Sequence, residues 1–375
     1  MKPYGLVLAG GGAKGAYQLG AWKAMREIGV QFSAVAGVSV GAINGALVVQ
    51  DDFLSAEALW NEAELAKGVN FETPLKDPNN LFSVKNYPAL LREFLKNRGF
   101  DASPVKDFLS QYINEEKIRA AGIPLGLVTI QLSQNNPVGL ELFLSDIPAG
   151  QLLDYLLASA SIPLANNIGP QGERFLDGGI YDNTPVSMLR RSGYNRIVVV
   201  DIASIKGVNH NLDFQNCEVV YIRPHNIDDL GASFDFSREM NEKRKQLGYL
   251  DAKKAFSYLL GKIYYFEPEV FRALVERFGF RAFEQMEDLA YLLGIDTLQI
   301  YTAEAFLAAL EKVYEEHREL LRQNEQMVER EANGAYEKEW RNSFLRRFIQ
   351  RRSENEYKEA IKALEQLIDR KEDLS

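Results

Sequence analysis

The chain has 375 residues, a length that fits two domains or one domain with a large appendage. Hydrophobic residues make up 46% of it and charged residues 25%, a balance that excludes general disorder and allows a sizeable core. The net charge of −9 excludes a surface field that would attract phosphate backbones, so we expect no nucleic-acid partner.

Cysteine content and the length of the apolar runs bear on the cellular compartment. Cys217 is the only cysteine, which excludes an intramolecular disulfide framework and fits a reducing compartment. The apolar run near the N-terminus extends only from Gly5 to Ala9, too short for a secretory signal. No later run reaches the roughly 18 apolar residues of a membrane-spanning helix. We therefore expect a cytoplasmic protein that is at most peripheral to a membrane.

The N-terminal region repeats a pattern of strand, turn and helix. Gly5 to Ala9 is typical of a short buried strand, Gly10 to Gly15 of the turn that ends it, and Ala16 to Ile28 of a helix. A second buried strand is predicted over Phe32 to Gly37, and a helix of small residues over Val40 to Val49.

Further apolar runs typical of strands follow, separated by helical or loop segments. They lie at Leu125–Leu132, Leu140–Leu144, Arg174–Leu176, Arg196–Ile202 and Glu218–Ile222. Such alternation predicts a mostly parallel sheet covered by helices on both faces. From about Asn226, long charged stretches with helical spacing replace the strand-like runs. We therefore predict an α/β domain over residues 5–205 and a mainly helical C-terminal region over residues 226–375.

A G-x-S-x-G motif, formed by Gly37, Ser39 and Gly41, lies between the second predicted strand and its helix. A serine at such a sharp turn is presented to substrate, and the flanking glycines are required because neighbouring backbone comes close. The following helix points its positive end at the serine and stabilises negative charge there. The motif predicts a nucleophile at Ser39, although a tight glycine turn without chemistry gives the same short pattern.

The preceding loop satisfies G-x-G-x-x-G, the pattern of dinucleotide-binding sites, through Gly10, Gly12 and Gly15. Such a site needs a carboxylate about 20 residues further on, at the end of the second strand, to hold the ribose hydroxyls. Glu27 lies within the predicted helix and Asp51 lies beyond the second helix, so neither is placed for this role. A dinucleotide-binding module therefore stays an alternative, although the carboxylate that would hold the ribose hydroxyls is missing.

The same loop offers bare backbone amides at the start of a helix. Because the first two strands are expected side by side, with both loops at one sheet edge, Gly11 and Gly12 could form an oxyanion hole beside Ser39. The other interpretation is a glycine turn needed only for close helix packing.

A nucleophilic serine needs a base, and the sequence offers a histidine or a carboxylate. The histidines are His210, His225 and His317. Ser39, Asp177 and His210 follow the serine, acid, histidine order of the α/β-hydrolases. In that fold several strands precede the serine, whereas here the serine follows only the second strand, which argues against a triad.

Asp177 is the carboxylate alternative, at the end of a short apolar strand and before Gly178 and Gly179. This placement favours it over Asp182 and Asp201. An ordinary aspartate is a weak base at neutral pH, so the pairing requires a partly dry site that raises its proton affinity. An Asp-Gly turn without chemistry is the alternative for this segment.

Taken jointly, these motifs resemble the patatin-like phospholipase family. The resemblance spans roughly residues 5 to 205 and includes the small-residue segment Ala158–Pro163 between the serine and aspartate motifs. It implies a three-layer α/β/α sandwich and hydrolysis of lipid acyl esters by a Ser39–Asp177 dyad through an acyl-enzyme. It also implies an oxyanion hole at Gly10, Gly11 and Gly12, with no metal and no cofactor.

Some features leave the function open. Lys14 stands where the family more often has arginine, and it lacks the planar fork, so a substrate contact there is open. Residues Arg341 to Arg352 could form a helix on an anionic bilayer, although a helix packed with its arginines in water fits better. A non-catalytic scaffold relative also stays an alternative, and the oligomeric state cannot be read from the sequence.

Overall fold

The computed structural model describes residues 2–63, 103–132, 137–161, 173–203 and 215–316, together with residues 362, 364 and 366. Two compact units divide the chain, Met1–Phe256 and Ser257–Ser375. His210, His317 and the predicted helix Arg341–Arg352 lie outside the described residues. Each unit has its own cluster of buried apolar side chains, and each is described below by itself.

Unit 1 is built on a seven-stranded sheet. Its strands are β1 Tyr4–Leu8, β2 Phe32–Val38, β3 Leu125–Leu132, β4 Pro137–Phe143, β5 Arg174–Asp177, β6 Arg196–Val200 and β7 Glu218–Ile222. The order is β4-β3-β2-β1-β6-β7, and β5 pairs with β3. The pairs among β3, β2, β1, β6 and β7 are parallel, whereas β4 and β5 run antiparallel to β3. The predicted mostly parallel sheet is confirmed.

Helices cover both faces of this sheet. They are α1 Gly15–Glu27, α2 Val40–Gln50, α3 Phe53–Glu62, α4 Ser103–Ser110, α5 Glu115–Ala120, α6 Leu152–Ser159, α7 Val186–Arg191 and α8 Arg238–Ala255. Val7 of β1 packs in a buried cluster with Val186 and Leu189 of α7. Leu6 and Leu8 point to the opposite face, as alternation along a strand requires, and lie near α1. The central strands are buried on both sides, which explains their uniformly apolar sequences.

Helix α8 packs along α1 with close backbone contact. A Cβ on Gly248 of α8 would collide with the Tyr17 carbonyl oxygen, and one on Gly20 of α1 would collide with the Lys245 carbonyl oxygen. The Tyr17 hydroxyl donates a 2.7 Å hydrogen bond to the buried Asp251 carboxylate. Residues 226–256 therefore belong to unit 1. The boundary between the two units lies at Phe256 because α8 packs on α1, the helix that follows β1.

The described part of unit 2, residues 257–316, is mainly helical, which confirms that a helical region follows the α/β domain. Its helices are α9 Pro268–Phe278, α10 Phe280–Leu292 and a helix over residues 303–316, with two short strands, β8 Tyr265–Phe266 and β9 Ile300–Tyr301. Aromatic side chains dominate its core, among them Tyr264, Phe266, Phe283, Tyr301 and Phe306. The buried Glu287 carboxylate accepts the backbone N–H groups of residues 262, 263 and 264. This carboxylate satisfies buried amides of the loop that leads into the core.

Candidate active site

Strands β2 and β5 meet end to end beside β3, and this junction forms the site. The last residue of β2, Val38, pairs with Val128, and the next residue of β3, Thr129, pairs with Asp177. Because β4 occupies the other side of β3, β5 continues the line of β2. β5 runs in the opposite direction to β2, so the C-terminal ends of the two strands meet. Asp177, the last residue of β5, therefore lies next to Ser39, the residue that follows β2.

Ser39 occupies a strained turn between β2 and α2. Its φ of 56° lies in the left-handed region, which non-glycine residues rarely adopt. The close approach of backbone explains the two glycines around it. A Cβ on Gly37 would collide with the Gly41 carbonyl oxygen, and one on Gly41 with the Leu8 carbonyl oxygen. Ser39 directly precedes the first turn of α2, its side chain makes no capping hydrogen bond to that helix, and the residue is 9% exposed.

A buried serine from α6 fixes the Ser39 backbone. The Ser39 N–H donates to Ser159 Oγ at 2.9 Å, and the Ser159 hydroxyl donates to the Val128 carbonyl oxygen at 2.7 Å. From the next turn, the Ser161 carbonyl oxygen accepts the Asp177 N–H at 2.8 Å. The segment 158–161 therefore holds both the serine and the aspartate. The resemblance singled out these small residues without giving a role, since a hydrogen bond to a distant amide leaves no periodic signal in a sequence.

The Asp177 carboxylate accepts the Gly179 N–H at 2.7 Å and lies near enough to the Ser39 hydroxyl for that group to lower its pKa. Burial raises the pKa of Asp177 from its ordinary 3.8 to about 6, against the opposing effects of the Ser39 hydroxyl and the Gly179 N–H. Gly178 has no room for a side chain, because a Cβ would collide with the Val128 carbonyl oxygen. The carboxylate thus has the proton affinity that a base near neutral pH requires.

The glycine loop lies directly beside the serine. A Cβ on Gly10 would come within 3.3 Å of Ser39 Cβ. The Gly10 N–H donates to the Asn183 carbonyl oxygen at 3.4 Å, and Asn183 Nδ2 donates back to the Gly10 carbonyl oxygen at 3.3 Å. Within the residues that the structure describes, no hydrogen-bond acceptor is found for the amides of Gly11 and Gly12. The Gly10 amide of the predicted oxyanion hole therefore has a partner within the protein, unlike the amides of Gly11 and Gly12.

Lys14 and Gly15 face the protein interior. Lys14 is only 4% exposed, and its burial, together with the Arg244 charge, lowers the pKa of its ammonium group. It therefore contacts protein rather than solvent at the site. A Cβ on Gly15 would lie 2.6 Å from Val40 and 2.7 Å from the Trp60 ring, so this glycine serves close helix packing.

The other carboxylates considered as a base are bound into local turns. Asp182 Oδ1 accepts the Thr184 N–H at 3.0 Å, and Asp201 accepts the Ala203 N–H at 2.8 Å and the Tyr221 hydroxyl at 2.7 Å. Ser39 is not among these partners of Asp182 and Asp201.

Sequence reasoning missed Asn183 and Arg244 as well as Ser159. Asn183 joins the glycine loop to the turn after Asp177, since its Oδ1 lies 2.6 Å from the position of a Cβ on Gly179. A lone asparagine or arginine carries no motif, so only the folded chain shows these contacts. Among the residues that the structure describes, no group of three His, Cys, Asp or Glu side chains is arranged to hold a metal. No helix in the described part of the chain is long and apolar enough to cross a membrane.

The order and spacing of these motifs match a known family. Residues 6–190 match the family model described as patatin-like phospholipase. This part of the chain is a patatin-like phospholipase domain. It contains the glycine loop, Ser39, Asp177 and Asn183, whereas α8 with Arg244 lies beyond it. The resemblance noted in the sequence is thereby confirmed.

Curated relatives share the same region. The chain is 27% identical over 206 residues to lysophospholipase NTE1 of Cryptococcus neoformans, covering 54% of this chain and 11% of that protein. It is 32% identical over 214 residues to lysophospholipase nte1 of Aspergillus terreus, with 54% and 12% covered. Patatin-like phospholipase domain-containing protein 7 of Mus musculus is 26% identical over 204 residues, with 53% and 13% covered. The chain therefore spans a small part of these long relatives.

Two solved structures resemble the chain more distantly. VipD from Legionella pneumophila has 15% identity and a TM-score of 0.37, with 93% of this chain and 79% of that chain covered. ExoU in its complex with SpcU from Pseudomonas aeruginosa has 16% identity and a TM-score of 0.34, with 83% and 68% covered.

Proposed function

We propose that the protein hydrolyses acyl esters of lipids with a Ser39–Asp177 dyad. The observation that carries the proposal is the place of the Asp177 carboxylate beside Ser39, where the serine hydroxyl lowers its pKa while burial raises that pKa to about 6. A serine hydroxyl is a weak nucleophile until a base accepts its proton, and a carboxylate of raised proton affinity serves that purpose at neutral pH.

In the proposed reaction Ser39 Oγ attacks the ester carbonyl carbon while its proton passes to Asp177. The carbonyl π bond opens, and its oxygen becomes an oxyanion. When the carbonyl re-forms, the C–O bond to the alcohol breaks, and that alcohol takes the proton from Asp177. Water then attacks the acyl-enzyme, gives a proton to Asp177 and releases the fatty acid, and that proton returns to Ser39. No metal or cofactor takes part.

The oxyanion is held by backbone groups in this proposal. The amides of Gly11 and Gly12 lie in the loop beside Ser39, and helix α2 begins directly after the serine. The positive end of a helix and fixed N–H donors both stabilise negative charge that develops at the carbonyl oxygen. The Gly12 φ of 60° holds its peptide in a left-handed conformation that glycine adopts without strain.

The lipid class of the substrate rests on the relatives and on the surface beside the site. The relatives named lysophospholipase share the domain with this chain. Two apolar side chains follow the aspartate motif, Ile180 at 59% exposure and Tyr181 at 37%. The Tyr181 ring packs over Gly139 of β4, next to the exposed Val138. Exposed apolar groups beside a site that cleaves lipid esters would contact acyl chains or a membrane surface.

A mechanism-based probe tests the nucleophile. After incubation with a fluorophosphonate ester, peptide mass spectrometry is expected to find the adduct on Ser39, and Ser39→Ala is expected to abolish both the adduct and hydrolysis of a p-nitrophenyl acyl ester. Hydrolysis that survives Ser39→Ala, with no adduct on the parent, would show that the dyad is not used. Ser192→Ala, on a serine that follows α7 away from the site, is the matched control and is expected to label normally.

The His210→Ala variant separates a dyad from a triad. Turnover within about twofold of the parent is expected, because the proposed base is Asp177. A collapse of turnover in a variant with an unchanged melting temperature would assign the base to histidine.

A further inference from the structure

Arg244 on α8 is fully buried and holds a loop in place. Its exposure is 0%. Nε donates to the Leu230 carbonyl oxygen at 2.7 Å, Nη2 to the Ala232 carbonyl oxygen at 2.8 Å, and Nη1 to the Asp235 carbonyl oxygen at 2.5 Å. The acceptors all lie between β7 and α8. We call residues 230–235 the bracket loop.

The same guanidinium also contacts the glycine loop. Nη1 donates to the Ala13 carbonyl oxygen at 3.1 Å. In return, the Ala13 N–H donates to the Ser233 carbonyl oxygen of the bracket loop at 2.7 Å. The Ser233 carbonyl also lies against Gly12, where a Cβ would collide with it. The peptide groups on both sides of Ala13 are therefore fixed by the bracket loop and by Arg244 together.

Burying the Arg244 cation costs free energy, which argues that the residue does more than fill space in the core. In the described part of the chain, the hydrogen-bond acceptors of Arg244 are backbone carbonyl oxygens and the Asn241 amide oxygen, and the nearby Asp235 charge favours the cation without forming a salt bridge. Burial lowers the pKa of the guanidinium to about 10, so it stays charged at neutral pH. A buried cation is costly unless its donors are well satisfied, and only a planar fork reaches several carbonyls at once.

We propose that Arg244 is a positioning residue for the oxyanion loop. By fixing Ala13 and the bracket loop that abuts Gly12, it sets the direction of the Gly11 and Gly12 amides beside Ser39. This inference rests on the proposed ester hydrolysis. It also extends the catalytic unit past the matched residues 6–190, since the residue that holds the oxyanion loop lies on α8.

The first variant is Arg244→Lys, with Arg238→Lys as the matched control. Lysine keeps the charge but donates from a single nitrogen, so the carbonyls cannot all be satisfied. We expect kcat to fall by about 100-fold, the effect of misplacing a reacting geometry by about 1 Å, while KM stays within about twofold. Arg238 is exposed on the same helix, and its replacement is expected to leave both constants unchanged.

A transition-state analogue distinguishes positioning from loss of stability. A trifluoromethyl ketone adds to the serine and places an oxyanion in the hole, so its inhibition constant should rise with the fall in kcat. The trifluoromethyl carbinol of the same chain cannot add the serine and forms no oxyanion, so its inhibition constant should not change. Leu250→Ala on α8 removes a buried side chain away from the loop and is expected to lower the melting temperature without changing kcat.

Asn241→Ala serves as a milder second variant in case Arg244→Lys melts below the assay temperature. Its amide oxygen accepts from Arg244 Nη1 at 3.3 Å, so a smaller loss of kcat at constant KM is expected. If the parent enzyme is labelled at Ser39 and the folded Arg244→Lys or Asn241→Ala variant keeps its kcat, the positioning role of Arg244 is overturned. The proposed ester hydrolysis then still stands. A parent that is neither labelled nor active overturns the proposed function as well, because no reaction is then left to position.

Discussion

At the scale of single residues, Asp177 combines two opposing influences. Burial raises the pKa of its carboxyl to about 6, and the Ser39 hydroxyl and the Gly179 N–H limit the rise. The catalytic form in the proposed mechanism is the carboxylate. We therefore expect kcat/KM to rise with pH through about 6 and to level above it, which a pH–rate profile on a soluble ester measures. A flat profile between pH 5 and 8 would contradict the role.

The same shift predicts a change in stability. Because the folded pKa of Asp177 exceeds its ordinary 3.8, its contribution to stability is complete below 3.8 and is lost as pH rises through about 6. Asp177→Asn removes the buried charge, so the variant should melt higher than the parent at pH 8, with a gap that narrows toward pH 4. Turnover should fall by about 10²–10⁴-fold. A difference in melting temperature between variant and parent that widens toward low pH would contradict a raised pKa of Asp177 in the folded protein.

At the scale of elements, the junction of β2 and α2 depends on backbone contact with β1. Gly41→Ala would drive a methyl group into the Leu8 carbonyl oxygen. We expect a loss of about 1–3 kcal/mol in the free energy of unfolding, measured by urea denaturation. Gly45→Ala is the matched control on the same helix, since its Cβ would meet side-chain atoms and no backbone, the nearest being Val35 at 3.0 Å. Equal losses of stability in the two variants would mean that the backbone contact between Gly41 and Leu8 imposes no special steric limit.

At the scale of the whole molecule, the exposed apolar side chains of Ile180 and Tyr181 beside Asp177 predict a preference for packed lipid. Ile180→Asp should reduce hydrolysis of an ester held in lipid vesicles by about 10-fold or more, because a charge placed at the interface is costly. Hydrolysis of a soluble short-chain ester should stay within about twofold. Leu54→Asp, exposed at 77% on α3, is the matched control. A loss on both esters would instead indicate damage to the site.

The division of the chain into two units predicts where it can be shortened. A chain ending at Phe256 keeps α8, Arg244 and the bracket loop, so we expect soluble-ester turnover within about threefold and a cooperative melt. A chain ending at Asn226 lacks them and should be inactive. Loss of activity in the longer truncation would show that unit 2 contributes to the catalytic unit.

The sequence by itself determined the strands, the two N-terminal helices and the glycine, serine and aspartate motifs. These are local signals, set by the periodicity of apolar residues and by turns that only glycine allows. It also favoured Asp177, because a strand that ends in Asp-Gly-Gly marks a loop at a sheet edge.

Tertiary structure alone decided how these pieces meet. β5 runs antiparallel to β3, so Asp177 at its C-terminal end lies next to Ser39 at the C-terminal end of β2. The first compact unit extends to Phe256 and includes α8. Tertiary structure also brought in Ser159, Asn183 and Arg244, whose hydrogen bonds join residues far apart in the chain. Such contacts depend on how elements pack, and no local pattern encodes them. The raised proton affinity of Asp177 belongs with them, since burial is a property of the folded chain.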